Sequence, residues 1–374
     1  MKRYGNLFDK ICSMDNLYLA FQNAKRGKGW YEEVKIIEKR PYYYLAALQY
    51  KLKNHLYKTS DYEVFIKNDT GKERKIYKLP FYPDRVAQWA IIQVIEPYLL
   101  KQFIEDTYSA IPNKGIHFGL HRLTDAMWND IPGCQFCMKL DVRHYYQSIN
   151  HDILKQKYRR LFKDSELLWV LDEIIDSVHT ADFEDENNAR KILNLAPGEP
   201  LPSEMGVPIG NYLSQYSGNF YLSDFDHWIK EEKHVKHYFR YMDDICIFAS
   251  TKEELHELFK EIKQYLNINL NLTIKTNYQI FPSYVRGVDF LGYRVFLNYV
   301  LLRKSTCKQM KKKMTRLYLK CSEGNMMNYS EWCSIHSYNG WLVHCDSYRL
   351  AKKYIEPLLP YAREYYITNI RKAA

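Results

Sequence analysis

The chain has 374 residues, a formal net charge of +10 and a sequence pI near 8.9, with 26% charged and 46% apolar residues. This length and balance exclude a single small module and a collagen-like or low-complexity chain, and suggest two or three units around a real core. No apolar run approaches the ~20 residues of a membrane helix and the N-terminus lacks a signal-like core, so a cytoplasmic protein with no membrane partner is expected.

Residues 1–130 are expected to be mainly helical, from the periodicity of DNLYLAFQNAKRGK and YYYLAALQYKLKNHLY. DYEVFIKNDTGKERKIYKLPF reads as two short strands around a basic, Gly-containing turn. PDRVAQWAIIQVIEPYLLKQFIEDTY reads as a helix whose start is signalled by Pro83-Asp84. Residues 131–300 alternate. QFCMKLDV is a strand, and NHDILKQKYRRLF is a helix opened by Asn150. Thr180 to Gly206 is acidic and Pro-rich, a loop or insertion. PIGNYLSQYSGNFYLSDFDHWIKEE is one long helix, and VKHYFRYMDDICIFAS is two apolar strands around a tight acidic turn. KEELHELFKEIKQYLNI is an amphipathic helix, after which GVDFLGYRVF and NYVLLR form strands. The order implies an α+β fold whose sheet carries helices on one face.

Charge is concentrated at the C-terminal end. Residues 301–374 hold 14 Lys+Arg and 5 Asp+Glu, a net of +9, which leaves the first 300 near +1. In KSTCKQMKKKMTRLYLKC an apolar stripe runs through Cys307, Met310, Met314, Leu317 and Cys321. Lys304, Lys308, Lys312, Arg316 and Lys320 recur every four residues as a second stripe. Such a stripe is either a solvated helix face or a helix laid along a phosphate backbone, where each neutralised phosphate releases counterions. The 34 tyrosines add stacking faces for bases.

The acidic turn bears the chemistry. Asp243 and Asp244 lie between apolar strand segments, and two adjacent carboxylates at a buried hairpin tip repel each other unless a cation offsets them. In FCMKLD, period 2 places Asp141 at the strand's end, on the face opposite Phe136, Met138 and Leu140. If that strand neighbours the hairpin, three carboxylates converge. Mg²⁺ favours carboxylate oxygens with substrate phosphates, and two such ions clamp an in-line phosphoryl displacement.

With these residues in view, the sequence resembles the prokaryotic reverse transcriptases. YMDD at Tyr241–Asp244 matches the family's YxDD box, LDVRHYYQSI its first catalytic motif, GVPIGNYLSQ its middle motif and GVDFLGYRVF its grip motif, all in the family's order. The resemblance runs from DNLYLAFQNAKRGKG to SYNGWLVHCDSYRL. It implies a right-hand polymerase with fingers over 1–130, a palm over 131–300 and a basic helical thumb over 301–374. It also implies two Mg²⁺ ions, with Mn²⁺ as the alternative, and template RNA, nascent cDNA and dNTPs as partners.

By the same resemblance Asp141, Asp243 and Asp244 match the metal triad, with the Val142 carbonyl as a further ligand. Tyr146 matches the bulky residue that crowds a ribose 2′-hydroxyl; its alternative is a core tyrosine. Lys72, Arg74 and Arg143 match nucleotide contacts, with a solvated turn the alternative for the first two. Lys275 matches a lysine that protonates pyrophosphate, or is an ordinary surface lysine. Where most members carry Gln in the middle motif, this chain has Ile209 before Gly210, and Ser214-Gln215 follows. That form resembles the enzymes of diversity-generating retroelements, which copy a template-repeat RNA with errors at adenines and act with a basic oligomeric accessory protein. Defence-associated bacterial reverse transcriptases, copying a dedicated noncoding RNA, share similar variants. A catalytically idle RNA-binding protein on the same scaffold is the third reading.

Other patterns imply less. The eight cysteines are scattered, as in a reducing compartment, and Cys134-x-x-Cys137 lacks a second pair. His234/His237 and the cluster Asp182, Glu184, Asp185 and Glu186 read as solvated or packed groups.

Overall fold

Periodic apolar residues settle the N-terminal region first. The computed structural model describes residues 3–69, 72–179, 196 and 204–371. Helix Met14–Ala24 starts where the Ser13 side chain accepts from the Asn16 N–H, and it buries Leu17, Ala20, Phe21 and Ala24. Helix Pro41–Lys53 opens on Pro41, whose missing N–H is harmless in a first turn, and buries Leu45, Leu48 and Leu52. Helix Met14–Ala24 packs on both helix Pro41–Lys53 and helix Val86–Leu100. That helix ends at Leu100, short of the expected Tyr108. Beyond it the chain turns back toward the later strands, where Thr107 forms a parallel bridge with Arg240. Between the helices β1 (Glu63–Asp69) and β2 (Lys72–Lys78) pair antiparallel, Glu63 opposite Lys78 and Asp69 opposite Lys72. Most of the Thr180–Gly206 stretch, including Asp182, Glu184, Asp185 and Glu186, lies outside the described residues.

The site is carried by a four-stranded antiparallel sheet in the order β4-β5-β3-β6. Its strands are β3 (Phe136–Asp141), β4 (His237–Tyr241), β5 (Asp244–Ala249) and β6 (Gln279–Pro282). Helices were expected on one face only, yet both faces are covered. Met138, Leu140, Ile245 and Ile247 belong to a core shared with the N-terminal helices and with helices His151–Leu161 and Tyr212–Tyr221. Cys137, Cys246, Phe248 and Phe281 belong to a second core with Leu120, Leu123 and the C-terminal region. The physical reason is visible in ICIF, a continuous apolar run of the kind that strands buried on both faces carry.

The expected long helix after the middle motif is broken. Helix Tyr212–Tyr221 ends at Leu222, and a short helix, Ser223–His227, resumes. At the break the Ser223 hydroxyl donates to the Phe220 carbonyl at 2.7 Å, a local bond that competes with the helical ladder. Strands β7 (Val288–Phe290), β8 (Tyr293–Val295) and β9 (Val300–Leu302) form a small antiparallel sheet. Helix Lys304–Ser322 then packs the expected stripe inward, burying Met310, Met314, Leu317 and Cys321. Asn328 and Glu331 form a reciprocal cap on helix Tyr329–Leu342. Among the described residues no helix is long and apolar enough to cross a membrane.

Candidate active site

Two features of the backbone assemble the site. Tyr241 pairs with Asp244, so β4 and β5 are joined by a two-residue turn, Met242-Asp243. Met242 sits at φ +56, the left-handed conformation that such tight hairpins demand. On the other side of β5, Asp141 is paired with Asp244. Opposed residues in an antiparallel ladder stand about 4.5–5.5 Å apart at Cα. Carboxylates from two distant stretches therefore meet at one end of the sheet. Burial, and then the nearby Asp141, push the Asp243 carboxyl up to about 6, although the Lys275 ammonium partly offsets this.

Two lysines enter the cluster. The chain after the amphipathic helix Lys252–Leu270 runs antiparallel past the end of β3: Lys275 N–H donates to the Asp141 carbonyl at 2.9 Å and Arg143 N–H to the Thr273 carbonyl at 2.8 Å. Val142 bridges Ile274 between these two bonds, so its own carbonyl is directed away from that partner. This pairing sets the Lys275 ammonium 2.5 Å from Asp141 Oδ1. Lys139, which the sequence reading passed over, forms an ion pair with Asp244 and lies 4.7 Å from the Phe290 ring centroid. Burial works against its charge, but the Cys246 thiol and the Asp244 carboxylate hold its pKa above the usual lysine value. The signal was present: Lys139 is two residues before Asp141 and so shares its face of the strand. Among the described residues, no three His, Cys, Asp or Glu side chains stand as a ready-made metal cage, and lysines pair with two of the carboxylates. The donor set nevertheless fits a hard divalent cation: carboxylate oxygens, with the pKa of one carboxyl, Asp243, raised by burial and then by Asp141, a charge that a cation would offset.

Around this cluster the motifs interlock. His144, at φ +46, turns the chain into the short 3₁₀ helix Tyr145–Ser148. The Tyr146 hydroxyl reaches Met242 Sδ at 3.5 Å, and Val207 N–H donates to the Tyr146 carbonyl at 2.8 Å. The middle motif then crosses to the hairpin, where Tyr77 N–H donates to the Ile209 carbonyl at 3.0 Å. Ile209 is half-buried, Gln215 is exposed on helix Tyr212–Tyr221, and Arg143 is half-buried beside the first motif. Gly210 has φ +128, and a Cβ there would stand 2.6 Å from the Tyr77 carbonyl oxygen. Gly210→Ala is therefore expected to cost about 1–3 kcal/mol of stability, measured by denaturant unfolding, because both strain and backbone contact oppose it.

Other expected residues lie apart. Lys72 and Arg74 are in β2 toward the hairpin's far end, about 10–16 Å along the strand from Tyr77. Lys304, Lys308, Lys312 and Arg316 are exposed on the C-terminal helix, but Lys320 is half-buried and its Nζ lies 2.8 Å from Glu331 Oε2. Cys134 and Cys137 are buried free thiols, and burial pushes the Cys134 thiol up to about 12. His237 Nε2 lies 2.8 Å from Asp130 Oδ2. A feature with no sequence signal is a cavity of about 210 Å³ beside Gly210, lined by Lys28, Tyr31, Phe65, Arg85, Gln88 and Tyr212. The Gln88 side-chain nitrogen is buried there without a hydrogen-bond partner.

An antiparallel sheet with acidic strand ends, a projecting β hairpin and a basic helical C-terminal region is the architecture of a right-hand polymerase. The chain belongs to the reverse transcriptase (RNA-dependent DNA polymerase) family, whose family model matches residues 66–295, more than half of its length. Among curated proteins it is similar to Protein YkfC of Escherichia coli (strain K12), 22% identical over 268 residues, covering 62% of this chain and 65% of that protein. Among solved structures it is similar to telomerase from Candida albicans in complex with a fragment of telomeric RNA, at 11% identity and TM-score 0.48, covering 85% of this chain and 62% of that one. Apo telomerase from Candida tropicalis gives 12% identity and TM-score 0.48, with 84% of this chain and 58% of that one covered. The chain thus spans less than two thirds of the length of each of these proteins.

Proposed function

We propose that this chain is an RNA-directed DNA polymerase that makes cDNA by nucleotidyl transfer, copying a template-repeat RNA with errors in a diversity-generating retroelement. One observation carries the reading: Asp141 opposes Asp244 in register, with Asp243 in the adjoining turn, in a chain of the reverse transcriptase family. Asp141, Asp243, Asp244 and the Val142 carbonyl would hold a pair of Mg²⁺ ions, Mn²⁺ being the alternative. Ions bound there would favour the ionised primer 3′-hydroxyl and would stabilise the oxygen that leaves the α-phosphorus.

The chain's own residues do the rest. Lys139 and Lys275 offset the charge of Asp244 and Asp141. As the primer 3′-oxygen, its proton lost to solvent, bonds to the α-phosphorus and the bond from the α-phosphorus to the pyrophosphate oxygen breaks, Lys275 gives the departing group a proton. The Tyr146 ring excludes a ribose 2′-hydroxyl. Lys72, Arg74 and Arg143 contact the triphosphate, and Gly210 and Gln215 border the nascent pair. Lys304, Lys308, Lys312 and Arg316 follow the phosphate backbone, while Lys320, already engaged by Glu331, contributes less. A basic oligomeric accessory protein completes the assembly in the cytoplasm.

Primer extension on an RNA template with Mg²⁺, comparing the parent with Asp243→Ala/Asp244→Ala, tests the enzyme reading. RNA binding with no extension by either protein identifies an idle RNA-binding scaffold and ends it. The retroelement reading makes its own prediction through Ile209. A Gln there hydrogen-bonds sugar or base, whereas Ile does not, and such discriminating contacts are worth about 1–3 kcal/mol. Ile209→Gln is expected to lower misincorporation opposite template adenine, read by sequencing cDNA. An unchanged error spectrum breaks the link between Ile209 and fidelity.

A further inference from the structure

The strand before the acidic turn is apolar and aromatic except at one interior position. Arg240, in HYFRY, is fully buried. Its partner, Asp226, comes from the short helix Ser223–His227 and is also fully buried. Arg240 Nε donates to Asp226 Oδ1 at 2.7 Å, and Nη2 donates to Oδ2. Asp226 further accepts from the Tyr238 hydroxyl at 2.5 Å and the Thr107 hydroxyl at 3.3 Å, so both of its oxygens are engaged.

The remaining guanidinium donors point toward the catalytic turn. Nη1 donates to the Met242 carbonyl at 3.1 Å and to Asn219 Oδ1 at 3.3 Å, and Nη2 donates to the Asn219 carbonyl at 3.3 Å. Met242 holds φ +56, a backbone state uncommon for a side chain of its size. The Arg240 backbone is anchored in turn: its N–H donates to the Asp106 carbonyl at 2.9 Å, and its carbonyl accepts from Tyr108 N–H at 3.2 Å. Asn219 lies one residue beyond Gly218, and a Cβ on Gly218 would stand 3.5 Å from the Tyr146 ring. A buried ion pair is a weak source of stability, since a well-packed apolar pair often serves as well or better. One planar guanidinium that binds Asp226, the Met242 carbonyl and Asn219 at once has instead a geometric use.

We propose that Arg240 is the positioning residue of the catalytic turn: held by Asp226, it grips the Met242 carbonyl and so fixes where Asp243 stands relative to Asp141. Through Asn219 it ties that turn to the helix beneath Tyr146, which couples ion placement to nucleotide selection. Because Asp226 neutralises the guanidinium, this grip adds no net positive charge beside the carboxylates. The inference rests on the polymerase reading above.

Two variants test it. Arg240→Lys keeps a charge but loses the fork, and Arg240→Met/Asp226→Leu replaces the whole pair by apolar groups. Each is assayed by Mg²⁺-titrated primer extension and, separately, by Mn²⁺ binding to the protein alone followed by electron paramagnetic resonance. Both are expected to fold, the double variant at a lower melting temperature because the buried Tyr238 and Thr107 hydroxyls lose their acceptor. Under conditions where they are folded, both are expected to lose about 10–100-fold in kcat or in ion affinity, the range typical of residues that orient ligands. A folded double variant with parental kcat, Mg²⁺ dependence and Mn²⁺ affinity overturns the proposal and leaves Arg240 a packing residue. If the double variant fails to fold, Arg240→Lys decides: parental ion dependence refutes the proposal, and a weakened one supports it. If the parent extends no primer at all, the polymerase reading fails by itself, and the Mn²⁺ comparison still judges the role of Arg240.

Discussion

Asp243→Asn is expected to abolish Mg²⁺-dependent primer extension, by ~10³-fold or more in kcat, while the protein stays folded. The loss follows from the several kcal/mol of transition-state charge stabilisation that a bound metal ion supplies and a neutral amide cannot recruit. The survival of the fold follows from the electrostatics of the turn. Burial and then Asp141 raise the Asp243 carboxyl from its ordinary 3.8 to about 6. The folded state therefore takes up a proton more readily than the unfolded chain. The sign is fixed by linkage: this group's contribution to stability is fully present below the ordinary carboxyl value and is lost as pH rises through about 6. In the absence of divalent ions Asp243→Asn should thus melt above the parent at pH 7.5, and the gap should close near pH 4. Single-nucleotide extension and calorimetry at both pH values check the two halves. Retained extension would show that the chemistry lies elsewhere.

Tyr146→Ala is expected to relax sugar selection, raising ribonucleotide use relative to deoxyribonucleotide by about 10²-fold, a range set by the weak discrimination of sites that lack a steric or polar barrier. The ring is held from several sides. Tyr145 lies beside it with ring centroids 5.6 Å apart, Gly218 leaves room for it, and Met242 Sδ receives its hydroxyl at 3.5 Å. A ring so anchored acts by volume, so Tyr146→Phe should keep the selectivity that Tyr146→Ala loses. Competition between matched dNTP and NTP on one RNA template measures both. If the two variants behave alike, or if neither changes the ratio, Tyr146 is a core residue and the selection resides in another group.

Much of this site was legible in one dimension because its residues are placed by local rules. Period 2 in FCMKLD put Asp141 at a strand end, and the apolar flanks of Asp243-Asp244 announced a hairpin with a costly tip, although Asp244 opens β5 and only Asp243 stands in the turn. The apolar stripe of the C-terminal helix likewise followed from spacing, and Met310, Met314, Leu317 and Cys321 are buried as expected. Other readings failed where a distant partner overrode the local pattern. The helix ending at Leu100 stops early because Thr107 pairs with Arg240 across the fold. The sheet is covered on both sides because the C-terminal region folds back onto Cys137, Cys246 and Phe248. Lys320 belongs to the basic stripe by spacing, yet Glu331 of the next helix claims it.

The order and identity of the acidic, aromatic and glycine-bearing segments were enough to indicate the family, whose model matches residues 66–295, because strand alternation and turn geometry act over a few neighbours. The pairing of charges was decided only by the folded chain. Lys139 on Asp244, Lys275 on Asp141 and Arg240 on Asp226 join residues up to 134 positions apart. Coulombic contact depends on distance and burial in three dimensions, and spacing along the chain carries neither.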